Sequence, residues 1–139
     1  MQTYIEYYEQ EIIPRIKEMD VFLKTASQPY AIEDVRRLLL MKPEEIQQEM
    51  EEEKLILLTK GTFLYLLQIG DSPICRLMQR EIQLGISGAY SIADIAYIYQ
   101  LPFAEVAEAA RKAGQTEFWT SELRLLFEHI KLSDKEDRP

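Results

Sequence analysis

The amino-acid sequence predicts an all-α fold, a single domain of about seven to eight helices. Apolar residues recur at helical spacing along most of the chain, glycine and proline are few, and strand-like alternation is hard to find. The chain has 139 residues, of which 47% are apolar, and this is enough to build a buried core. The domain is expected to span residues 1 to 132, with residues 133 to 139 forming a disordered, charged tail.

The first helical segment covers residues 3 to 25, as one long helix or two abutting helices. Pro14 lies inside it, and a proline cannot donate the backbone hydrogen bond that continues a helix. We therefore expect a kink at Pro14, or a short break followed by a new helix. The apolar stripe of this segment consists of Tyr4, Ile5, Tyr8, Ile12, Ile16, Met19, Phe22 and Leu23.

A short helix over residues 31 to 41 is followed by a very acidic helix that ends near Glu53. Pro43 fits the first turn of the acidic helix, where a missing N–H costs nothing. The apolar segment Phe63 to Ile69 then predicts a buried central helix. A β-hairpin over residues 55 to 67 is the competing interpretation, because a glycine-containing turn between two apolar runs is a hairpin signal.

Capping residues bound the helices of the second half. Ser72 is predicted to cap a helix that begins at Pro73 and ends at Gly85. Ser91 begins the next helix, and Asp94 completes a capping box with it.

The last two helices are bounded in the same way. Pro102 opens the first of them and Gly114 ends it. Thr116 is then predicted to cap an amphipathic helix that continues to about Lys131.

The sequence contains an internal repeat. Residues 28 onward align with residues 88 onward at an offset of 60, and residues near the N-terminus align at an offset of 59. The alignment predicts two similar units, residues 3 to 53 and 62 to 113, and a C-terminal helix added to them. Each unit is a helix, a proline, a second helix and a helix-turn-helix. The identical pairs at the offset of 60 are Tyr30/Tyr90, Ile32/Ile92, Asp34/Asp94 and Glu45/Glu105.

Residues 91 to 112 resemble the helix-turn-helix family. The pattern requires an apolar and a small residue in the first helix, an apolar residue in the turn and a branched residue in the second helix. The matching residues are Ile95, Ala96, Leu101 and Val106. The family's turn glycine is replaced by Gln100.

Residues 31 to 52 form a more degenerate copy of the same pattern. Val35, Met41 and Ile46 match it. Arg36 stands where the family has a small residue, and Leu40 stands at the turn glycine.

The resemblance implies two closely packed helices rather than a surface that reads DNA. Base reading needs polar or basic side chains on the outward face of the second helix, but that face offers Ala104, Glu105 and Glu108. The net charge of −8 also disfavours nucleic acids and anionic membranes as partners. If the chain were a DNA-binding regulator, the contacting residues would be Gln100, Phe103, Arg111 and Lys112.

The sequence offers no constellation of catalytic, cofactor-binding or metal-binding residues. One cysteine, Cys75, and one histidine, His129, are too few for the usual zinc site. Cys75 is expected to be a small packing residue. The first residues show neither the basic start nor the apolar run of a signal peptide, so a cytoplasmic location is predicted.

Tyrosine is the one unusual feature of the composition, with eight residues. Tyr7 and Tyr97 lie off the main apolar stripes, and Glu105 and Glu108 provide acidic surface. Exposed aromatic residues beside acidic ones are typical of protein-binding surfaces. The sequence therefore predicts a non-enzymatic protein-interaction module with a protein partner or a second copy of itself. A DNA-binding regulator is the main alternative, and an enzyme using carboxylates and tyrosines is a third.

Overall fold

The protein has the all-α architecture that the sequence predicts. The computed structural model describes residues 3 to 131, so the charged tail over residues 133 to 139 lies outside the described residues. The α-helices are α1 (Tyr4–Tyr7), α2 (Ile13–Thr25), α3 (Ile32–Leu39), α4 (Pro43–Glu52), α5 (Lys60–Ile69), α6 (Pro73–Leu84), α7 (Ile92–Tyr99), α8 (Phe103–Ala113) and α9 (Leu123–Phe127). Two short strands, β1 (Tyr90–Ser91) and β2 (Glu117–Phe118), pair in antiparallel fashion.

The N-terminal helical segment contains no break. A π-helical turn, Tyr8–Ile12, joins α1 directly to α2, and the N–H of Ile13 donates to the C=O of Tyr8. Pro14 is therefore the second residue of a helix that continues through it. In a regular α-helix, the ring of Pro14 would clash with the carbonyl of the residue four positions before it. The wider π turn lies at this place. The predicted break is wrong for this reason.

The chain divides into two compact units. The central unit consists of Pro14–Gln79, and the terminal unit consists of Met1–Ile13 together with Arg80–Pro139.

The central unit is built around the packing of α3 and α5. Three aromatic rings meet in this core. The ring centroid of Phe63 on α5 lies 5.9 Å from that of Phe22 on α2 and 6.4 Å from that of Tyr30, which precedes α3. The fully buried side chains of this core include Val35, Leu38, Leu39, Ile46, Phe63, Leu66 and Cys75.

Helix α5 replaces the hairpin that was the competing interpretation of residues 55 to 67. It begins at Lys60, and the Thr59 side chain caps it by accepting from the N–H of Thr62 at 3.3 Å. Its face toward the core is apolar, but Leu64 and Ile69 are exposed. The helix is therefore buried on one side only, rather than all round.

The terminal unit surrounds a cluster of aromatic rings. The ring of Phe127 packs edge-on against those of Tyr4, Tyr8 and Tyr99, with centroids 4.7 to 5.1 Å apart. Aromatic rings favour this arrangement because the positive ring edge meets the negative ring face.

The last helix is shorter than predicted. Glu117–Phe118 pairs with Tyr90–Ser91, and this pairing holds the chain extended just after Thr116. A 3-10 turn over Thr120–Glu122 then leads into α9. Thr116 therefore caps no helix, because a contact with a distant strand decides the conformation of this segment.

The predicted caps of α6 and α7 are confirmed. Ser72 Oγ accepts from the N–H of Cys75 at 3.3 Å, and it donates to the C=O of Leu39 at 2.6 Å. Ser91 and Asp94 bond reciprocally at 3.1 and 2.9 Å. Gly85 and Gly114 end their helices with φ of +57° and +75°, where glycine is favoured. Cys75 is buried, as expected of a packing residue.

Structural features recur at the offset of 60. Helices α3 and α7 have equal lengths, and each is followed by one residue in the left-handed region, Leu40 or Gln100, both with φ of 54°. In the central unit, the Tyr30 N–H donates to the C=O of Leu58 at 2.6 Å. At the positions 60 residues later, Tyr90 pairs with Phe118 in the terminal unit. Buried residues of α5 recur in α9 at the same spacing, as Phe63/Leu123, Leu66/Leu126 and Leu67/Phe127. Helix α9 thus has the same spacing of buried residues as α5.

Leu40 is expected to respond unusually to substitution, because a left-handed backbone opposes a side chain branched at Cβ. Leu40→Val removes only one carbon but should destabilise the protein by about 1 kcal/mol or more. Leu40→Gly removes the whole side chain, yet it should leave stability unchanged or higher. Urea unfolding of the two variants checks this order, and a reversed order would contradict the backbone assignment.

Candidate functional site

The candidate site is a groove of about 450 Å³ at the turn between α3 and α4, in the central unit. We call it the basic groove, because four of its seven lining residues are cationic. These residues are Arg15, Arg36, Arg37, Leu40, Met41, Lys42 and Pro43.

Three elements place the cationic side chains around the groove. Arg15 comes from α2, Arg36 and Arg37 from the last turn of α3, and Lys42 from the residue before α4. The Arg15 guanidinium donates to the C=O of Arg37 at 3.3 Å, which fixes it against the carbonyl end of α3. A cation at this end of a helix is favoured by the helix dipole.

Two of the four cations are paired with carboxylates. Arg36 donates to Glu33 from two nitrogens, at 3.0 and 2.7 Å. Arg37 pairs with Glu18 and lies 3.6 Å from Asp34. The hydrogen bond to Glu18 raises the pKa of Arg37.

The other two cations, Arg15 and Lys42, have no such partner. Among residues 3 to 131, no carboxylate oxygen lies within 4.0 Å of their side-chain nitrogens. The groove therefore presents two uncompensated positive charges on a chain whose net charge is −8.

The base of the groove is apolar. Leu40 is 49% exposed, and Met41 is buried beside it. The large side chain of Leu40 is half exposed, and its backbone lies in the left-handed region, where glycine or asparagine would be less strained. This combination indicates that the side chain has a function. Together, the charges and Leu40 fit a ligand that has both carboxylates and an apolar group.

The corresponding turn of the terminal unit has a different chemistry. At the offset of 60, Arg37, Leu40 and Pro43 are replaced by Tyr97, Gln100 and Phe103. The hydroxyl of Tyr97 donates to Gln83 Oε1 at 2.6 Å, and Gln100 Nε2 donates to the C=O of Tyr97 at 2.7 Å. Phe103 is exposed. Two turns with the same backbone thus carry a cationic surface and a neutral aromatic one.

The sequence-predicted residues Tyr97, Gln100 and Phe103 therefore lie together at one turn. Tyr7 is half-buried on α1, with its ring centroid 5.6 Å from that of Tyr4. Its exposed position was predicted, and the structure places it between core and surface.

The predicted residues of α8 lie on its outward face. Glu105 and Lys112 are exposed, and Glu108 accepts two hydrogen bonds from Arg111, at 2.9 and 2.6 Å. The hydrogen bond from Arg111 lowers the pKa of Glu108. Because Glu108 neutralises Arg111, Lys112 is the one residue among these four with an unpaired positive charge.

Sequence reasoning missed the basic groove. The available signal was the closeness of Arg36, Arg37 and Lys42 to the turn, with Arg36 in the position that the family pattern keeps small. Arg15 could not be added to this set, because only the packing of α2 beside α3 brings it there.

The terminal unit contains a partly buried carboxylate next to its tyrosine cluster. The hydroxyl of Tyr90 lies 3.2 Å from both oxygens of Glu81. Burial raises the pKa of Glu81, and burial also raises the pKa of Tyr99. Tyr8 and Tyr99 extend this polar cluster into the aromatic core.

Stability should depend on the protonation of Glu81. The folded protein retains the Glu81 proton at a pH where the unfolded chain has released it, so stability falls as pH rises between the unfolded and folded pKa values. Glu81→Gln keeps an acceptor for Tyr90 and should raise the melting temperature at pH 7 by about 2–4 °C. It should also flatten the pH dependence, whereas exposed Glu117→Gln should not. Identical pH profiles for wild type and Glu81→Gln would contradict this prediction.

Other kinds of site receive no support from the part of the chain described. Within it, no cluster of three or more His, Cys, Asp or Glu residues could hold a metal ion. Burial raises the pKa of the Cys75 thiol, the opposite of what a reactive cysteine needs. None of the helices between residues 3 and 131 has the length and apolar character needed to cross a membrane.

Comparison with known proteins adds no assignment. No family model, curated protein or solved structure matches this chain. Function must therefore be inferred from the groove itself.

Proposed function

We propose that the protein is a non-enzymatic interaction module whose basic groove binds a short acidic segment of a partner protein. The observation that supports this proposal is the pair of uncompensated cations, Arg15 and Lys42, beside exposed Leu40. Carboxylates of the partner would pair with the cations, and one apolar side chain would cover Leu40. Charge-assisted hydrogen bonds from Arg to carboxylate are among the stronger polar contacts in proteins.

A short acidic peptide fits the groove better than a nucleic acid does. A duplex carries one negative charge per roughly 1.7 Å of its axis and needs an extended positive surface. Here Glu18, Glu33 and Asp34 border the groove and would face neighbouring phosphates. A peptide of a few residues would contact the groove alone.

The DNA-binding alternative through α8 has less support. Its outward face presents Glu105, and Glu108 neutralises Arg111. Over about 8 Å, the Debye length at physiological salt, these carboxylates repel phosphates.

Binding of peptide pools tests the proposal. Short fluorescent peptides that mix glutamates with leucine and isoleucine in random order should bind the full chain at low salt and dissociate as salt is added. Lys42→Glu should weaken this binding by roughly tenfold, about 1.4 kcal/mol. The matched variant Lys112→Glu makes the same charge change at an exposed cation outside the groove and should have no effect.

Two further probes make the outcome decisive. A pool with lysine in place of glutamate should not bind, and a labelled duplex should bind more weakly than the acidic pool. Absence of binding by the acidic pool would refute the proposal. Tight duplex binding abolished by Lys112→Glu would instead support the DNA-binding alternative.

A further inference from the structure

An exposed segment that begins in the last turn of α4 and continues toward α5 has the composition that the basic groove would bind. We call residues 51 to 57, Glu-Glu-Glu-Lys-Leu-Ile-Leu, the acidic–apolar segment. Its three glutamates are exposed, as are Ile56, with 90% of its surface in solvent, and Leu57, with 55%. Folded chains rarely leave adjacent large apolar side chains this open without a partner.

The segment is held at both ends. The N–H of Leu55 donates to the C=O of Met50 at 2.7 Å, and the N–H of Thr59 donates to the C=O of Leu57 at 3.1 Å. The next residue, Leu58, is buried and accepts from the N–H of Tyr30. Ile56 is thus presented by a fixed backbone, which lowers the ordering cost of binding.

The segment cannot fill the groove of its own chain. Lys42 and Pro43 of the groove lie at the beginning of α4, whereas the segment leaves its end. A helix of 10 residues is about 15 Å long, so the two surfaces lie at opposite ends of the same helix. An occupant with this sequence must come from another copy.

We propose that the protein self-associates head to tail, with the acidic–apolar segment of one copy in the basic groove of the next. This inference depends on the groove of the proposed function and names its partner as a second copy of the chain. The glutamates of the segment would pair with Arg15 and Lys42, and Ile56 would cover Leu40. Such a contact joins unlike surfaces, so copies can assemble into rings or open chains, and two copies that make the contact twice can form a two-fold dimer.

Sedimentation velocity of two complementary variants tests this arrangement. Leu40→Asp/Lys42→Glu changes the groove only, and aspartate tolerates the left-handed backbone at position 40. Ile56→Asp/Leu57→Asp changes the segment only, at exposed side chains. The matched control is Leu125→Asp, an exposed leucine of α9. Circular dichroism melting verifies that each variant is folded.

The wild type and the control should grow in mass with concentration at low salt, and growth should be suppressed at high salt. Each double variant alone should associate at least tenfold more weakly. An equimolar mixture of the two should form a dimer and stop there, since one intact groove meets one intact segment. A two-fold interface in which each copy used one and the same surface would not give this complementation.

A monomeric wild type at all concentrations, or a mixture that stays monomeric, would overturn the inference. These results leave the proposed function testable by itself. If the acidic peptide pool still binds the groove of a monomeric chain, the partner is a different protein. If neither the pool nor a second copy binds, both proposals fail.

Discussion

Phe63→Ala should destabilise the protein by about 3–5 kcal/mol, the largest effect expected of a single substitution. The Phe63 side chain is fully buried, and its ring packs against those of Phe22 and Tyr30. Truncation removes apolar burial and leaves a cavity that the surrounding helices cannot fill. Because domains are stable by about 5–15 kcal/mol, the variant should be close to unfolding. Urea unfolding followed by circular dichroism measures the loss.

The neighbouring residue provides the control. Leu64 lies on the same helix but is 38% exposed, so Leu64→Ala should cost less than about 1 kcal/mol. Similar losses for the two variants would contradict the assigned orientation of α5.

Gly70→Ala should destabilise the protein by about 1–3 kcal/mol, because the added methyl group has no space. A Cβ at this position would lie 2.6 Å from Cys75 Sγ and 3.1 Å from the C=O of Leu66. Cys75 is fully buried, so its sulfur cannot move into solvent. Chemical denaturation of the variant gives the size of the effect.

A double-mutant cycle identifies the cause of that loss. Cys75→Ala removes the sulfur and should by itself cost about 1 kcal/mol for a small cavity. In the double variant the two changes should offset each other, giving a coupling of about 0.5–3 kcal/mol. Strictly additive losses would show that Gly70 and Cys75 do not share this space.

Features of the fold that depend on neighbouring residues were predictable from sequence. The capping box of Ser91 and Asp94 and the terminating glycines Gly85 and Gly114 act within one helical turn, so their residue types are sufficient. The same holds for the turn at Gln100, where the helix-turn-helix pattern expects glycine and the backbone is left-handed.

Features that depend on distant residues were not predictable in this way. Phe118 is extended because it pairs with Tyr90, and no local pattern distinguishes this from the helix start predicted at Thr116. The π turn before Pro14 is likewise an adjustment within a long helix, and it removes the break that was the second of the two outcomes expected at this proline.

The candidate site combines both kinds of feature. The sequence shows that Lys42 and Arg37 lie beside the turn, but it does not show whether a carboxylate pairs with either of them. Arg37 is neutralised by Glu18 from α2, and Arg15 reaches the groove from the same helix. On the outward face predicted for α8, Glu108 neutralises Arg111, whereas the groove of the central unit brings two cations without a carboxylate partner beside exposed Leu40.

The central claim is that the basic groove binds an acidic protein segment. Its most direct test is an NMR titration of the ¹⁵N-labelled Ile56→Asp/Leu57→Asp variant, whose groove is intact, with the pool of short peptides that mix glutamate with leucine and isoleucine. The account predicts amide shifts concentrated at Arg36, Arg37, Leu40 and Lys42. Absence of shifts at millimolar peptide, or shifts confined to residues 100 to 112, would contradict it.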